Sequence, residues 1–297
     1  MKPQTAAACL SLLVSLSFLV PACAQDELRW KFKSGETLKY AVQQQMQTEM
    51  LFGGKKLNQT MRQTMGMSWD VSTVAANGDA LVAQTVDRVQ MKLEGGPLGN
   101  VQFDTDSSEE PTSPVVKSIA EVFRKIVGQQ FRVTMKPTGK VQNVEVPESL
   151  KQQIESGSGA SPSPLNEDTL KQMMEQSSVV LPDGPVSAGQ MWESIQEVKL
   201  PFGTMRVTSS MTYEGRDAAT GLAKISMKPT ISVIPGEGAQ AQIGLKSSEG
   251  LGQVLFDTAR GRIVRSTLDL TLQMQVTQLG QTIDQTVHQK TIMALEK

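Results

Sequence analysis

One stretch of this chain is written twice. Met61-Arg62-Gln63-Thr64-Met65-Gly66-Met67-Ser68-Trp69-Asp70 returns as Met205-Arg206-Val207-Thr208-Ser209-Ser210-Met211-Thr212-Tyr213-Glu214. Met, Arg, Thr and Met keep register, and both copies close on a hydroxyl, an aromatic and an acid. The flanks repeat in the same order. Leu51-Phe52-Gly53 and Pro201-Phe202-Gly203 precede the copies, Gly78 and Gly221 follow them, and Gly139-Lys140-Val141 is echoed by Gly261-Arg262-Ile263. Duplicated units pack as related structural units, so the chain is expected to build two halves of like topology.

The period inside each half is two. In Arg262 to Thr277, Val264, Leu268, Leu270, Leu272, Met274 and Val276 alternate with Arg265, Thr267, Asp269, Thr271, Gln273 and Gln275. That is a strand with one buried and one wet face. Met61, Met65, Met67, Trp69 and Val71 alternate in the first copy, as do Met205, Val207, Met211 and Tyr213 in the second. Leu38, Tyr40, Val42 and Met46 open another strand, and Gln281 to Leu295 supplies the last. Turn chemistry separates the runs at Asn77-Gly78, Pro137-Thr138-Gly139 and Thr220-Gly221.

Comparing the landmarks shows about 22 extra residues in the first half, between the repeated stretch and Gly139. A helix is predicted there. Ser113 suits the N-cap and Pro114 the first helical position, while Val116, Ile119, Phe123 and Ile126 line one face. Two short helices, Pro147 to Ile154 and Asn166 to Gln176, are predicted between the halves, around a flexible Gly157-Ser158-Gly159-Ala160-Ser161-Pro162-Ser163-Pro164 loop. Leu181-Pro182-Asp183-Gly184-Pro185 reads as the turn into the second copy. The expected fold is mainly β (a β-rich α+β chain), with two related antiparallel β-meander units, a helical insertion and a helical linker. The divisions are residues 1–24, 25–180 and 181–297, and one continuous curved sheet built from both halves is the structural alternative.

Residues 1–24 read as a secretory signal, with Lys2 as the lone charge, an uncharged run from Ala6 to Val20, and the small-residue site Ala22-Cys23-Ala24. Cleavage after Ala24 is the first reading and lipid attachment at Cys23 the second, which would anchor the protein to a membrane. The expected location is periplasmic or extracellular. Cys9 and Cys23 are the only cysteines, so a chain cut after Ala24 has no disulfide and no cysteine-based metal site. Loss of Lys2 leaves acids slightly in excess, from 29 basic and 30 acidic residues in the whole chain. Such a balance gives no electrostatic footprint for nucleic acid.

Leu28-Arg29-Trp30-Lys31-Phe32-Lys33-Ser34-Gly35-Glu36-Thr37-Leu38-Lys39-Tyr40 and Phe256-Asp257-Thr258-Ala259-Arg260-Gly261-Arg262-Ile263-Val264-Arg265-Ser266 resemble stretches of a family of exported bacterial proteins of unknown function, common in planctomycete-type genomes. The resemblance implies a secreted, mainly β protein. It carries over no activity and no catalytic residue.

The chemistry on offer is sparse. Nucleophilic catalysis of the Ser-His-acid kind would need His288, the only histidine, and alternation puts it on the wet face of its strand with Asp284 and Lys290. Asp104-Thr105-Asp106-Ser107-Ser108-Glu109-Glu110 offers oxygen ligands but lacks the glycine and distal Glu of an EF-hand loop, and reads as a solvated acidic loop. Gly236-Glu237-Gly238 and Gly250-Leu251-Gly252 fit no phosphate-binding fingerprint and read as turns. Paired carboxylates of the glycosidase kind lie apart in sequence and leave no local motif. No catalytic, cofactor or metal site is assigned.

Methionine on strands is what remains. Met46, Met61, Met65, Met67, Met91, Met135, Met205, Met211, Met227 and Met274 are flexible side chains suited to filling a core, the commoner use, or to lining an adaptable apolar groove. If they enclose a ligand, Met65, Met67, Trp69, Met211 and Tyr213 border one apolar space. The functional expectation is a non-enzymatic envelope protein binding an apolar or amphipathic molecule, or a partner protein. A structural or adhesive module and a carboxylate-based hydrolase are the alternatives.

Overall fold

The computed structural model describes residues 25–52, 54–96, 99–109, 111, 113–156, 171, 174, 179–200, 203–236, 241–278 and 281–296. The leader with Cys23 and Ala24, the 157–164 loop and nearly all of the second linker helix lie outside them.

Strong alternation produces long strands. The first half holds β1 (Thr37–Phe52), β2 (Lys55–Val74), β3 (Ala80–Gly95), β4 (Val101–Asp104), α1 (Pro114–Ile126), β5 (Gln130–Met135), β6 (Val141–Glu145) and α2 (Glu148–Ser156). The second holds β7 (Met191–Leu200), β8 (Gly203–Arg216), β9 (Ala223–Pro235), β10 (Ala241–Asp257), β11 (Arg262–Gln278) and β12 (Gln281–Leu295). β4 and α1 fall where the extra residues of the first half were placed. α1 starts at Pro114, but the Ser113 hydroxyl makes no capping bond; only its carbonyl accepts from the Lys117 amide.

All the strands join one antiparallel sheet in the order β6-β5-β3-β2-β1-β12-β11-β10-β9-β8-β7, with β4 beside β3. The repeat is visible in that order. β1, β2, β3, β5 and β6 form one meander, β7 to β11 form its counterpart, and β12 joins the two by pairing with both β11 and β1. The repeated stretches sit in β2 and β8, the second strand of each meander. Six antiparallel steps separate them, so they run the same way, and Trp69 and Tyr213 both enter the core. The two halves thus share one ladder.

Alternation gives the sheet an apolar inner face and a polar outer one. The inner face rolls up at the end where β1 begins, here called proximal. A flat sheet of this width would hold its edge strands roughly 50 Å apart at normal strand spacing. Yet Val141 and Val144 of edge strand β6, and Trp192 of edge strand β7, meet one cluster with Leu28, Trp30, Tyr40, Trp69, Met211, Tyr213, Ile225 and Phe256. The Leu181 amide also donates 2.8 Å to Thr138 O, and Trp192 Nε1 donates 3.0 Å to Val180 O.

Residues 25–36 form a strap across this proximal end. Asp26 bridges to Val186, the Trp30 amide donates to Pro137 O at 2.7 Å, and the Lys31 amide donates to Gly261 O at 3.0 Å. The strap therefore touches the equivalent hairpin turns of both halves, which explains why their glycines recur. Both have positive φ, and a Cβ on Gly139 would lie 2.9 Å from Trp30 Nε1 and on Gly261 2.3 Å from the Lys31 amide. Only glycine fits both the turn and the close approach.

Gly250-Leu251-Gly252 is not a turn. It lies inside β10, with both glycines on the inner face. A Cβ on Gly250 would lie 2.4 Å from Pro229 Cγ, and one on Gly252 2.6 Å from Met227 Cε. The glycines make room for the two β9 side chains where the β9–β10 ladder ends at Met227 and Gly252. Pro229, lacking an amide proton, is suited to that break in the ladder.

Candidate functional site

Most of the sequence-selected residues converge. Trp69, Met211 and Tyr213 are buried in the proximal cluster, and Met67 packs against it. Met65 does not join them. It packs with Met61 on a second cluster in which Val116 and Ala120 of α1 cover Val89, Met91 and Phe103. Met211 is 3% exposed and Tyr213 1% exposed. These positions are filled core, and the Tyr213 hydroxyl donates to the Asp26 carboxylate, which also pairs with Arg216.

The inner face farther along the same strands is different. Leu268, Leu270, Leu272, Met274 and Val276 on β11 are half-buried, and none belongs to a core cluster of the described residues. Register places Leu268 opposite Thr291, Leu270 opposite Gln289, Leu272 opposite Val287 and Met274 opposite Gln285 on β12. Beyond them, Gln44 faces Gln63 and Met46 faces Met61 across β1 and β2. The distal inner face is therefore aliphatic along β11 and the distal end of β10 (Leu245 and Ile243), and mixed amide, hydroxyl and methionine along β12, β1 and β2. It is an amphipathic platform.

The outer face is mostly polar, with Met191, Ile195 and Leu251 exposed on it, and many of its charges are paired. A cleft of about 410 Å³ crosses β2, β3 and β4 beside Arg62, Lys92 and Asp104. Asp104 accepts from Arg88 and Gln90 side chains and from the Asp106 amide, and the Arg88 bond holds its carboxyl far below the usual carboxylate range. The acidic stretch is thus tied to arginine. Among the described residues, no group of three or more His, Cys, Asp or Glu could hold a metal ion. His288 is exposed on the outer face, with Nδ1 3.0 Å from Thr271 Oγ1.

Alternation showed which side chains share a face, but it did not show what lies over that face. The available signal was the glutamine and threonine at inward positions of β1 and β12, since a face under a packed second layer seldom carries unpartnered amides.

These features define a class of protein: one large antiparallel sheet rolled about its main core at one end. The chain belongs to a family of unknown function, DUF6263, whose model matches residues 77–263. No curated protein matches the sequence. A solved structure described as lipid–protein interactions in lipovitellin is similar over 90% of the chain, with a TM-score of 0.51 and 10% identity. The chain spans 25% of the length of that lipovitellin chain. At this identity the likeness is one of fold.

Proposed function

We propose that the protein is a non-enzymatic scaffold that binds an amphipathic molecule on the distal inner face. The observation that carries this reading is the half-exposed aliphatic row of β11, outside every core cluster and flanked by amides. Acyl chains would lie along Leu268, Leu270, Leu272 and Met274, each methylene removed from water contributing about 0.8 kcal/mol. Polar parts would meet Gln44, Gln285 and Gln289. The fold shared with lipovitellin, a protein described by its lipid–protein interactions, supports the same class of ligand. In this reading the protein acts outside the cytoplasm, its leader removed after Ala24 or its chain anchored at Cys23.

Titration with a soluble fluorescent fatty acid tests the proposal. Wild type should show saturable binding. Leu270→Asp should weaken it roughly tenfold or more while the thermal melt moves little, because the site is half-exposed. Met211→Lys, in contrast, buries an unpaired charge and should cost several kcal/mol, about enough to unfold an ordinary domain. Binding by Leu270→Asp equal to wild type would remove the inner face as the site.

A further inference from the structure

The distal rim, where the aliphatic rows end, carries exposed apolar side chains of its own. In the β1–β2 hairpin, Leu51 is 48% exposed and Leu57 37% exposed, although they lie on opposite faces of the sheet. Ile234, at the distal end of β9, is 46% exposed. Lysines accompany the leucines. Leu51 faces Lys56 across the hairpin, Lys56 pairs with Glu49 at 2.6 Å, and exposed Lys55 has no ion pair among the described residues. This hairpin therefore shows aliphatic groups on both faces and one unneutralised cation. Met191, Ile195 and Leu251 are more exposed but stand apart on β7 and β10. The hairpin differs in joining aliphatic groups to a cation at one tip, a pairing that an interface between acyl chains and phosphate headgroups accommodates.

Position adds to this. β10, β11 and β12 reach the same end of the sheet, where Ile243, Val276 and Ile283 pair on the inner face. The platform of the proposed ligand site thus runs without interruption to the rim. We infer that the distal rim docks on a lipid bilayer, with Leu51, Leu57 and Ile234 entering the interface and Lys55 facing the headgroups. The docked rim places the inner face at the membrane surface, where an amphipathic molecule passes between bilayer and sheet. This purpose rests on the ligand reading; the docking itself does not.

Co-sedimentation tests docking with vesicles of phosphatidylcholine alone and with a quarter phosphatidylglycerol. Wild type should bind both, and the anionic vesicles more tightly. Leu51→Ser with Leu57→Ser should reduce binding to both roughly tenfold or more. Lys55→Ala should leave phosphatidylcholine binding intact and remove a roughly fivefold preference for the anionic vesicles. These sites lie outside the core clusters, and tryptophan fluorescence of Trp30 and Trp69 reports whether each variant is folded. The two readings separate cleanly. Leu270→Asp should lose the soluble probe but keep the vesicles, and the rim variant should do the reverse. A wild type that stays in the supernatant, or a rim variant that sediments like wild type, overturns the docking.

Discussion

Tyr40 and Tyr213 are the only tyrosines in the chain, and both are buried. Burial, then the bond to Asp26 and that carboxylate's charge, pushes Tyr213 up to about 12. Burial also raises Tyr40, with Glu36 adding to the effect and Arg262 opposing it. A folded pKa above the unfolded value of about 10 means that the stabilisation is complete below pH 10. It is lost as pH rises toward 12. Tyrosinate absorbance should therefore stay flat through pH 10 and then rise together with loss of structure. A transition near pH 10 in folded protein would show that one hydroxyl is wet. The sequence identified both tyrosines as inward-facing, because residues two apart share a face. It did not separate core from platform, since that depends on the strap and α1, which alternation within a strand does not report.

At the scale of the element, the strap is the least expected part of the structure. Leu28-Arg29-Trp30-Lys31-Phe32 does alternate with period two, but a run this short says nothing of its partners. Leu28, Trp30 and Phe32 enter the core, and Arg262 of the second half pairs with Glu36 at 2.9 Å. Gly261→Ala tests its role. The substitution combines positive-φ strain with displacement of the Lys31 backbone and should cost about 2–3 kcal/mol. Gly189→Ala has similar strain, with no atom within 4 Å of the added carbon, and should cost only about 1 kcal/mol. Urea melts of the two variants measure the difference. Equal losses would mean that the strap yields to the turn. α1 and the hairpin turns were legible because proline, glycine and a 3.6-residue period signal locally; the β9–β10 break was not, because it arises from Pro229 and Met227 lying over glycines of another strand.

For the molecule as a whole, one cluster draws on both halves, so the halves should lose structure together. Trp30 and Trp69 belong to the first half and Trp192 to the second. Variants retaining only Trp69 or only Trp192 should give the same urea midpoint by fluorescence, coincident with circular dichroism. Two separated midpoints would establish independent units. The duplication was readable from residue identities, but the joining of its copies was not. That union lies in the β1–β12 ladder, a pairing of distant segments with no local signature.

The same ladder sets the order in which the sheet can close. β1 is made first and β12 last, yet they lie side by side near the middle of the sheet, from Tyr40 opposite Leu295 to Leu51 opposite Asp284. The strand order is a cyclic shift of a plain up-and-down meander that would run from β7 through β12 and on from β1 to β6. A chain in that shifted order would form each pair as it emerged. This one must hold the exposed flank of β1 open until β12 has been made, and its long-range closure makes folding slow. While it waits, the β1–β2–β3 meander is an open sheet with one unpaired edge.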